Sequence, residues 1–318
     1  MSQTTRFGLG SFSDGTETFP GLVVADRVLD LRPHFPAGAT TLHLLEDWSR
    51  SLARLRELAG GDGFRYSLGE LRPLPPVQSR QILCAGANYH RHVRQIVATT
   101  LRLDGISDDA EREREAERQL ERRVAGEPYM FVGLQGALAG ARDDVVLWRP
   151  GHCHDWELEL AAVIGRGGSM IDADDALDHV AGYTIVNDIS VRDVQQRERF
   201  PMTDFLASKN RPTFFPAGPM LVPTEFVPDP RVLRIQLSVN GELMQDELVD
   251  DIIHPVQALV AYASRMTTLT PGDLILTGSP AGNAGHHGDR WLTPGDVIEA
   301  EITGLGLQRN RCVADPSA

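Results

Sequence analysis

Residues 155–165 alternate in polarity and then turn uniformly apolar: Asp155-Trp156-Glu157-Leu158-Glu159-Leu160-Ala161-Ala162-Val163-Ile164-Gly165. A period of two predicts a strand ending at the glycine, with Glu157 and Glu159 on one face and Leu158, Leu160 and Ile164 on the other. Ala161 and Val163 carry the acidic face on into apolar territory, so the strand is expected to be buried on both sides. A second apolar run, Ala181-Gly182-Tyr183-Thr184-Ile185-Val186-Asn187-Asp188, ends on another acid. Upstream, short strands are predicted around 22–24 and 28–31, followed by an amphipathic helix over 41–59. Gly60-Gly61-Asp62-Gly63 stops that helix, because glycine ends helices at little cost. Pro73, Pro75 and Pro76 mark a linker. From Gln81 on, short strands alternate with turns and a few helices, among them 172–180 and 255–266. Without the regular strand and helix alternation of a doubly wound fold, the chain reads as a β-rich α+β core over 76–318 behind a small accessory domain over 1–75.

Between His92 and Pro128 the pattern changes. Residues 108–123, Asp108-Asp109-Ala110-Glu111-Arg112-Glu113-Arg114-Glu115-Ala116-Glu117-Arg118-Gln119-Leu120-Glu121-Arg122-Arg123, set opposite charges three and four apart. Such spacing supports a solvated helix, with Asp108 and Glu111 placed to cap its start.

Composition narrows the classes. A chain of 318 residues holds a large core and a small extra domain. A formal charge of −13 argues against nucleic acid and anionic membrane as partners. Cys84, Cys153 and Cys312 are odd in number and far apart, which speaks for a reducing compartment, the cytoplasm, over a disulfide framework. No apolar run is long enough to span a bilayer, and Met1-Ser2-Gln3-Thr4-Thr5-Arg6 lacks the apolar core of a signal peptide.

Lysine occurs once, at Lys209, against thirty arginines. Arg presents a broad planar fork, whereas Lys offers a compact ammonium that fits beside a small oxyanion. The lone lysine stands in Ser208-Lys209-Asn210-Arg211-Pro212, downstream of the acids. Glu157, Glu159 and Asp188 form an oxygen-only set suited to a hard divalent ion if they converge, and an ordinary acidic strand edge if they do not. His152-Cys153-His154 offers softer ligands, but no second Cys/His pair stands at structural-zinc spacing.

These residues resemble a family. Gly86-Ala87-Asn88-Tyr89-His90-Arg91-His92, Glu157-Leu158-Glu159, Asn187-Asp188-Ile189-Ser190-Val191-Arg192-Asp193, Lys209, Val239-Asn240-Gly241-Glu242 with Gln245, and Pro271-Gly272-Asp273-Leu274-Ile275-Leu276-Thr277-Gly278-Ser279-Pro280-Ala281-Gly282 occur in the order found in the fumarylacetoacetate hydrolase superfamily. The resemblance spans about residues 80–313. It implies the superfamily's mixed β fold, a magnesium or manganese ion on Glu157, Glu159 and Asp188, a small anionic 2-oxo acid or diketone substrate, and a homodimer. It also implies substrate contacts from Tyr89, Arg192, Gln195 and Ser279, with Arg192 as carboxylate partner or as support for Asp188. Lys209 is expected to stabilise an enolate, and His92 to serve as general base. Hydrolytic relatives often carry a glutamate three residues after this histidine. Here Gln95 stands there, and it can orient an imidazole but cannot stabilise imidazolium as a carboxylate does. The leading expectation is a carbon-carbon bond hydrolase acting on an acylpyruvate-like substrate. The alternatives are a lyase, decarboxylase, hydratase or isomerase of a 2-oxo acid, and a catalytically silent metabolite-binding homologue. Relatives commonly order the segment after the histidine motif on binding substrate, so residues 93–127 are either a lid or a plain surface helix.

Overall fold

The apolar half of the 155–165 run lies at the centre of the protein. In a computed structural model, which describes residues 5–103, 105–197 and 200–317, Leu158–Ile164 is a strand buried at every position. It pairs antiparallel with Val180–Asn187 on one side and with Leu274–Leu276 on the other. The sheet extends in the order Met130–Gly133, Ile82–Ala85, Leu274–Leu276, Leu158–Ile164, Val180–Asn187, Phe215–Ala217 and Leu138–Gly140, and Val222–Pro223 also joins Val180–Asn187. Two of its ladders are parallel, Ile82–Ala85 on Leu274–Leu276 and Phe215–Ala217 on Leu138–Gly140. Cover on both faces explains why its central strands are apolar runs.

A second sheet orders Glu242–Leu248, Arg234–Val239, Val297–Ile302, Gly306–Ala314 and Val145–Leu147. A third, N-terminal sheet orders Tyr66–Ser67, Arg27–Asp30, Thr18–Val24, Gly8–Ser13 and Arg72–Leu74. Leu9, Leu22, Leu31 and Leu45 belong to the same core cluster as Leu160 and Ile185, so apolar packing runs unbroken past the 73–76 prolines. The architecture is β-rich α+β. No helix among the described residues is long and apolar enough to cross a membrane.

Three local expectations change. The 41–59 helix is two helices, α1 (Thr41–Glu46) and α2 (Trp48–Ala59), broken at Asp47 with φ −125° and ψ 57°. Over 172–180 only Ala176–His179 is helical, as a 3₁₀ turn. Asp172, Asp174, Asp175 and Asp178 crowd this stretch, and aspartate competes with the backbone for hydrogen bonds and favours turns. The 155–165 strand is interrupted: His154–Asp155 pairs with Ser190–Val191, and the ladder resumes only at Leu158.

Two helices follow the first core strand: α3 (His90–Leu103) and α4 (Asp109–Val124). The charged segment is helical, and the Asp108 carboxylate accepts from the N–H groups of Ala110 and Glu111. It is not wholly solvated, because Ala116 and Leu120 pack on Val93 and Val97 of α3 in a cluster separate from the main core. The Arg94–Glu117 ion pair, at 2.6 Å, crosses the same seam. Helix α5 (Phe205–Lys209) follows the second acid-bearing strand, and α6 (Val256–Met266) precedes the Leu274–Leu276 strand.

Separate clusters predict separate stabilities. Leu120→Ala is expected to speed amide exchange over 109–124 on the order of tenfold or more while leaving the cooperative melting midpoint nearly unchanged. Ile185→Ala should lower that midpoint through a loss of about 2–5 kcal/mol. Equal midpoint shifts in the two variants would show that α4 melts with the central sheet.

Candidate active site

Strand register brings the acids together. Leu158 lies opposite Asn187, so Glu157 and Asp188 meet at the open end of the pair. There the Asp188 N–H donates to the Glu157 carbonyl at 2.8 Å. Glu159 is two residues along the same face. Where the ladder is interrupted, the Asn187 side-chain oxygen accepts from the Glu157 N–H at 2.9 Å and takes the place of a backbone partner. Ligand atoms of Glu157, Glu159 and Asp188 all lie within 4.8 Å of one another, and all three side chains are buried.

The lone lysine sits among them. Helix α5, started by the Asp204 carboxylate accepting from the Ala207 N–H, ends with Lys209 buried to 2% exposure. Its ammonium donates to Glu157 Oε2 at 2.5 Å, Asp188 Oδ2 at 2.6 Å and Ser190 Oγ at 2.8 Å. These three bonds use all its N–H groups, so in this arrangement Lys209 is the counter-ion of the acids. The Phe131 ring lies 5.3 Å from Nζ. Arg192 is bound differently from expectation: it donates to Asp155 Oδ2 at 2.8 Å and Glu157 Oε1 at 2.6 Å, and makes no bond to Asp188.

Charge balance sets the protonation states. Burial pushes Glu157 up, but Arg192 and Lys209 more than offset it, and the group is held below the usual carboxylate range. Burial raises Asp188 to about 6 against the pull of Lys209. Glu159, raised by burial and by Asp188 and Glu157 beside it, lies well above its ordinary value. Four acids, Asp155, Glu157, Glu159 and Asp188, face two cations, Lys209 and Arg192, leaving a formal charge of −2 if all are ionised. Asp188 Oδ1 is buried without a hydrogen-bond partner. An unpartnered buried oxygen within an all-oxygen set of excess negative charge fits a hard divalent cation.

Around the acids, one loop is fastened from several sides. The Gly278 N–H donates to Glu159 Oε2 at 2.7 Å. Gly278 has φ +90°, and a Cβ there would meet the Ala85 carbonyl at 3.1 Å, so the position suits glycine alone. Gln245 accepts from the Leu158 N–H and donates to Ser279 Oγ and the Pro280 carbonyl, tying the strand to the loop. Ser279 is buried within this network.

His92 stands on the first turn of α3, buried, with Nε2 3.9 Å from Glu157 Oε1 and Nδ1 lacking a hydrogen-bond partner. Burial pushes it down to about 4, so the ring is neutral near pH 7. The Gln95 side-chain oxygen accepts from the Gly282 N–H at 3.0 Å, which assigns this residue to the loop; it makes no hydrogen bond to His92. Tyr89 is fully buried, and its hydroxyl has no partner. Gln195 is half-buried at the end of the Arg192–Val194 turn, with its backbone bonded to Arg192 and Asp204 and its side chain in no hydrogen bond to the acids. His154 bonds the Trp148 carbonyl, and the N–H groups of His152 and Cys153 donate to Asp193, so the softer ligands stay outside the cluster.

Reading the sequence for chemistry missed two participants. Asp155 accepts from Arg192 and from the Ala284 N–H, joining the cluster to the loop. Its signal was present, since it continues the alternation of 157 and 159. Ser190 accepts a hydrogen bond from the Lys209 ammonium and donates one to the Asp188 carbonyl; nothing in its spacing singled it out.

A β-rich α+β scaffold with three buried carboxylates gathered around one lysine defines a class, that of acid-triad sites able to hold a divalent metal. The chain belongs to the fumarylacetoacetate hydrolase family: the family's fumarylacetoacetate (FAA) hydrolase C-terminal profile matches residues 81–313. It is similar to the mitochondrial oxaloacetate tautomerase FAHD2B of Bos taurus, 33% identical over 289 residues, which is 90% of this chain and 84% of the relative. It is also similar to the 2,4-didehydro-3-deoxy-L-rhamnonate hydrolase of Sphingomonas sp. (strain SKA58), 41% identical over 190 residues, 59% of this chain and 66% of that one. Among solved structures, maleylpyruvate hydrolase from Sphingobium sp. SYK-6 in complex with manganese(II) and pyruvate superposes with a TM-score of 0.74 at 26% identity, over 96% of this chain and 99% of that chain. These relatives are named as enzymes.

The acid cluster makes a prediction free of any substrate. Glu159→Gln should weaken binding of manganese(II) at least tenfold, read by calorimetry or by the electron paramagnetic resonance of the free ion. The same change should hold or raise the melting temperature of the metal-free protein, because it removes one of three mutually repelling buried acids. Unchanged affinity would take Glu159 out of the metal set.

Proposed function

We propose that this chain interconverts the enol and keto forms of a short anionic 2-oxo acid, with Glu157, Glu159 and Asp188 holding magnesium or manganese. The observation that carries this reading is the isolation of His92: Nδ1 is unpartnered, and the side chain three residues on is a glutamine whose oxygen is committed to Gly282. Water attack would build imidazolium with no carboxylate at Nδ1 to stabilise it, whereas tautomerisation moves protons and consumes no water. The family relationship with an oxaloacetate tautomerase aligned over 90% of this chain supports the same class.

When bound, the divalent ion supplies Lewis-acid polarisation of the substrate's carbonyl oxygen. The residues do the rest. His92, neutral near pH 7, takes the proton from the enol hydroxyl at Nδ1 and passes that same proton to the neighbouring carbon, so the ring carries charge only during the transfer and the atoms balance. Lys209 and Arg192 hold Glu157 between two cations, fixing its carboxylate and keeping the site from excess negative charge. The buried hydroxyls of Tyr89 and Ser279 orient the substrate, and Gln195 borders its carboxylate end. Gln95 is a positioning residue that fixes the 278–284 loop against α3.

A second reading, carbon-carbon bond hydrolysis, is favoured by the likeness to a rhamnonate-derivative hydrolase and to maleylpyruvate hydrolase. The free thiols of Cys84, Cys153 and Cys312 support the cytoplasm as the compartment. A homodimer is supported by exposed Tyr129, Val132 and Leu206, which surround the stacked Phe131 and Phe205 rings. Sedimentation at micromolar concentration tests this, and a monomer would overturn it.

With manganese(II) present, the chain is expected to speed the enol-to-keto conversion of oxaloacetate, followed by ultraviolet absorbance, and to release no product that has gained water. His92→Ala should lower turnover on the order of 10²-fold. Gln95→Glu keeps an acceptor for the Gly282 N–H but adds negative charge beside the site, and should lower tautomerase turnover. If a panel of 2-oxo acids and 1,3-diketones instead yields cleaved, hydrated products, and Gln95→Glu raises that rate, the hydrolytic reading replaces this one. Lys209→Arg should lose most turnover in either case, because a guanidinium does not fit an ammonium-sized space between two carboxylates.

A further inference from the structure

Helices α1 and α2 and the loop before them line an open cavity of about 510 Å³, within the size range of small-molecule sites. It lies at the far end of the central strand from the acids. Glu157 is at the start of Leu158–Ile164, whereas a Cβ on Gly165, just past its end, would meet Trp48 of α2 at 3.1 Å. Seven strand residues separate the two places by roughly 20 Å.

The lining is two-sided. Phe35, Pro36 and Leu44 supply an apolar wall, and Arg50, Arg54, His43 and Ser51 supply donors. Arg50 has no ion-pair or hydrogen-bond partner among the described residues, while Arg54 is held by Glu57 at 2.8 Å. His43 closes an unusual capping box: its Nδ1 accepts from the Thr40 N–H at 3.2 Å. With Nδ1 an acceptor, the neutral ring carries its proton on Nε2 and has a donor to spare. Ser51 is 6% exposed, and its hydroxyl makes no hydrogen bond among the described residues. Ser51 lines the cavity, so its hydroxyl is free to donate to a group bound there. Asp47 is the one carboxylate in the lining, and with Arg54 paired to Glu57, Arg50 is the guanidinium left to meet an anion.

We propose that this cavity is a second small-molecule site, which takes an organic monoanion with an aromatic or branched apolar body. The carboxylate meets Arg50 and the Ser51 hydroxyl, and the apolar body lies against Phe35, Pro36 and Leu44. Inorganic anions lack the body, and neutral isosteres lack the charge, so both bind more weakly.

The test is calorimetric titration of the full chain with phenylacetate, beside phosphate and the neutral amide phenylacetamide. Saturable binding of one phenylacetate at submillimolar Kd is expected, with phosphate and phenylacetamide at least tenfold weaker. Glu159→Gln, which alters the acid cluster while holding or raising the melting temperature, separates this site from that cluster, and binding should survive it. Arg50→Glu, at an exposed position that leaves the fold intact, should weaken binding about tenfold or more and leave turnover and melting temperature unchanged. Ser51→Ala should weaken it several-fold. Absence of saturable binding, equal binding of phosphate, loss in a folded Glu159→Gln, or indifference to Arg50→Glu would each overturn the assignment. None of these outcomes depends on the tautomerase reading, which concerns the other end of the strand.

Discussion

The structure around the site depends on the Lys209 ammonium, with the Arg192 guanidinium beside it. Glu157, Glu159 and Asp188 are all buried within 4.8 Å of one another, an arrangement that electrostatics forbids unless something positive stands inside it. Lys209 bridges two of them and Ser190. Removing one partner of a buried ion pair typically costs about 3–5 kcal/mol, because the other charge is left uncompensated. Lys209 and Arg192 do not neutralise four acids, and burial, together with the neighbouring carboxylates, raises Asp188 and Glu159. The same imbalance makes the cluster receptive to a divalent ion.

Rigid neighbours keep the acids from separating. Asn187 replaces a missing ladder bond at Glu157, Gln245 ties Leu158 to the Ser279–Pro280 turn, and Gly278 brings a backbone donor to Glu159. Each of these partners is itself buried. In contrast, α3 and α4, which carry and brace His92, rest on a small cluster of their own. The acids thus sit on strands of the main core cluster, and the histidine on a helix with a small cluster of its own.

How far the sequence could be read follows from which interactions are local. The alternation at 157 and 159 and the apolar runs were legible because strand faces depend on a period of two, and the buried central pair has that character. The isolation of Lys209 among thirty arginines was legible as composition. The break at Asp47 and the 3₁₀ turn at Ala176–His179 were not, because short aspartate-rich segments are decided by tertiary contacts that propensity does not encode. Arg192 was expected to face the substrate or Asp188; its bond to Glu157 depends on Asp155, whose place is fixed only when His154–Asp155 pairs with Ser190–Val191. Gln95 was read through its spacing from His92, yet residues three apart on a helix need not bond each other when a loop N–H is nearer.

Gln95 bears on which reaction the proposed site can run. Under that proposal the three acids would hold the divalent ion that polarises the substrate carbonyl, a requirement shared by enolising reactions. The proposed tautomerisation and a hydrolysis would then differ in how long the neighbouring histidine carries a positive charge. Burial holds His92 neutral, with Glu157 3.9 Å from its Nε2. The Gln95 oxygen, bonded to the Gly282 N–H, adds no charge to that balance. A glutamate there would add one, which is why position 95 is proposed to bear on the reaction without bonding to the acids. Its helix packs through Val93, Val97, Ala116 and Leu120 in a cluster apart from the main core, so a change at 95 need not disturb the acid-bearing strands.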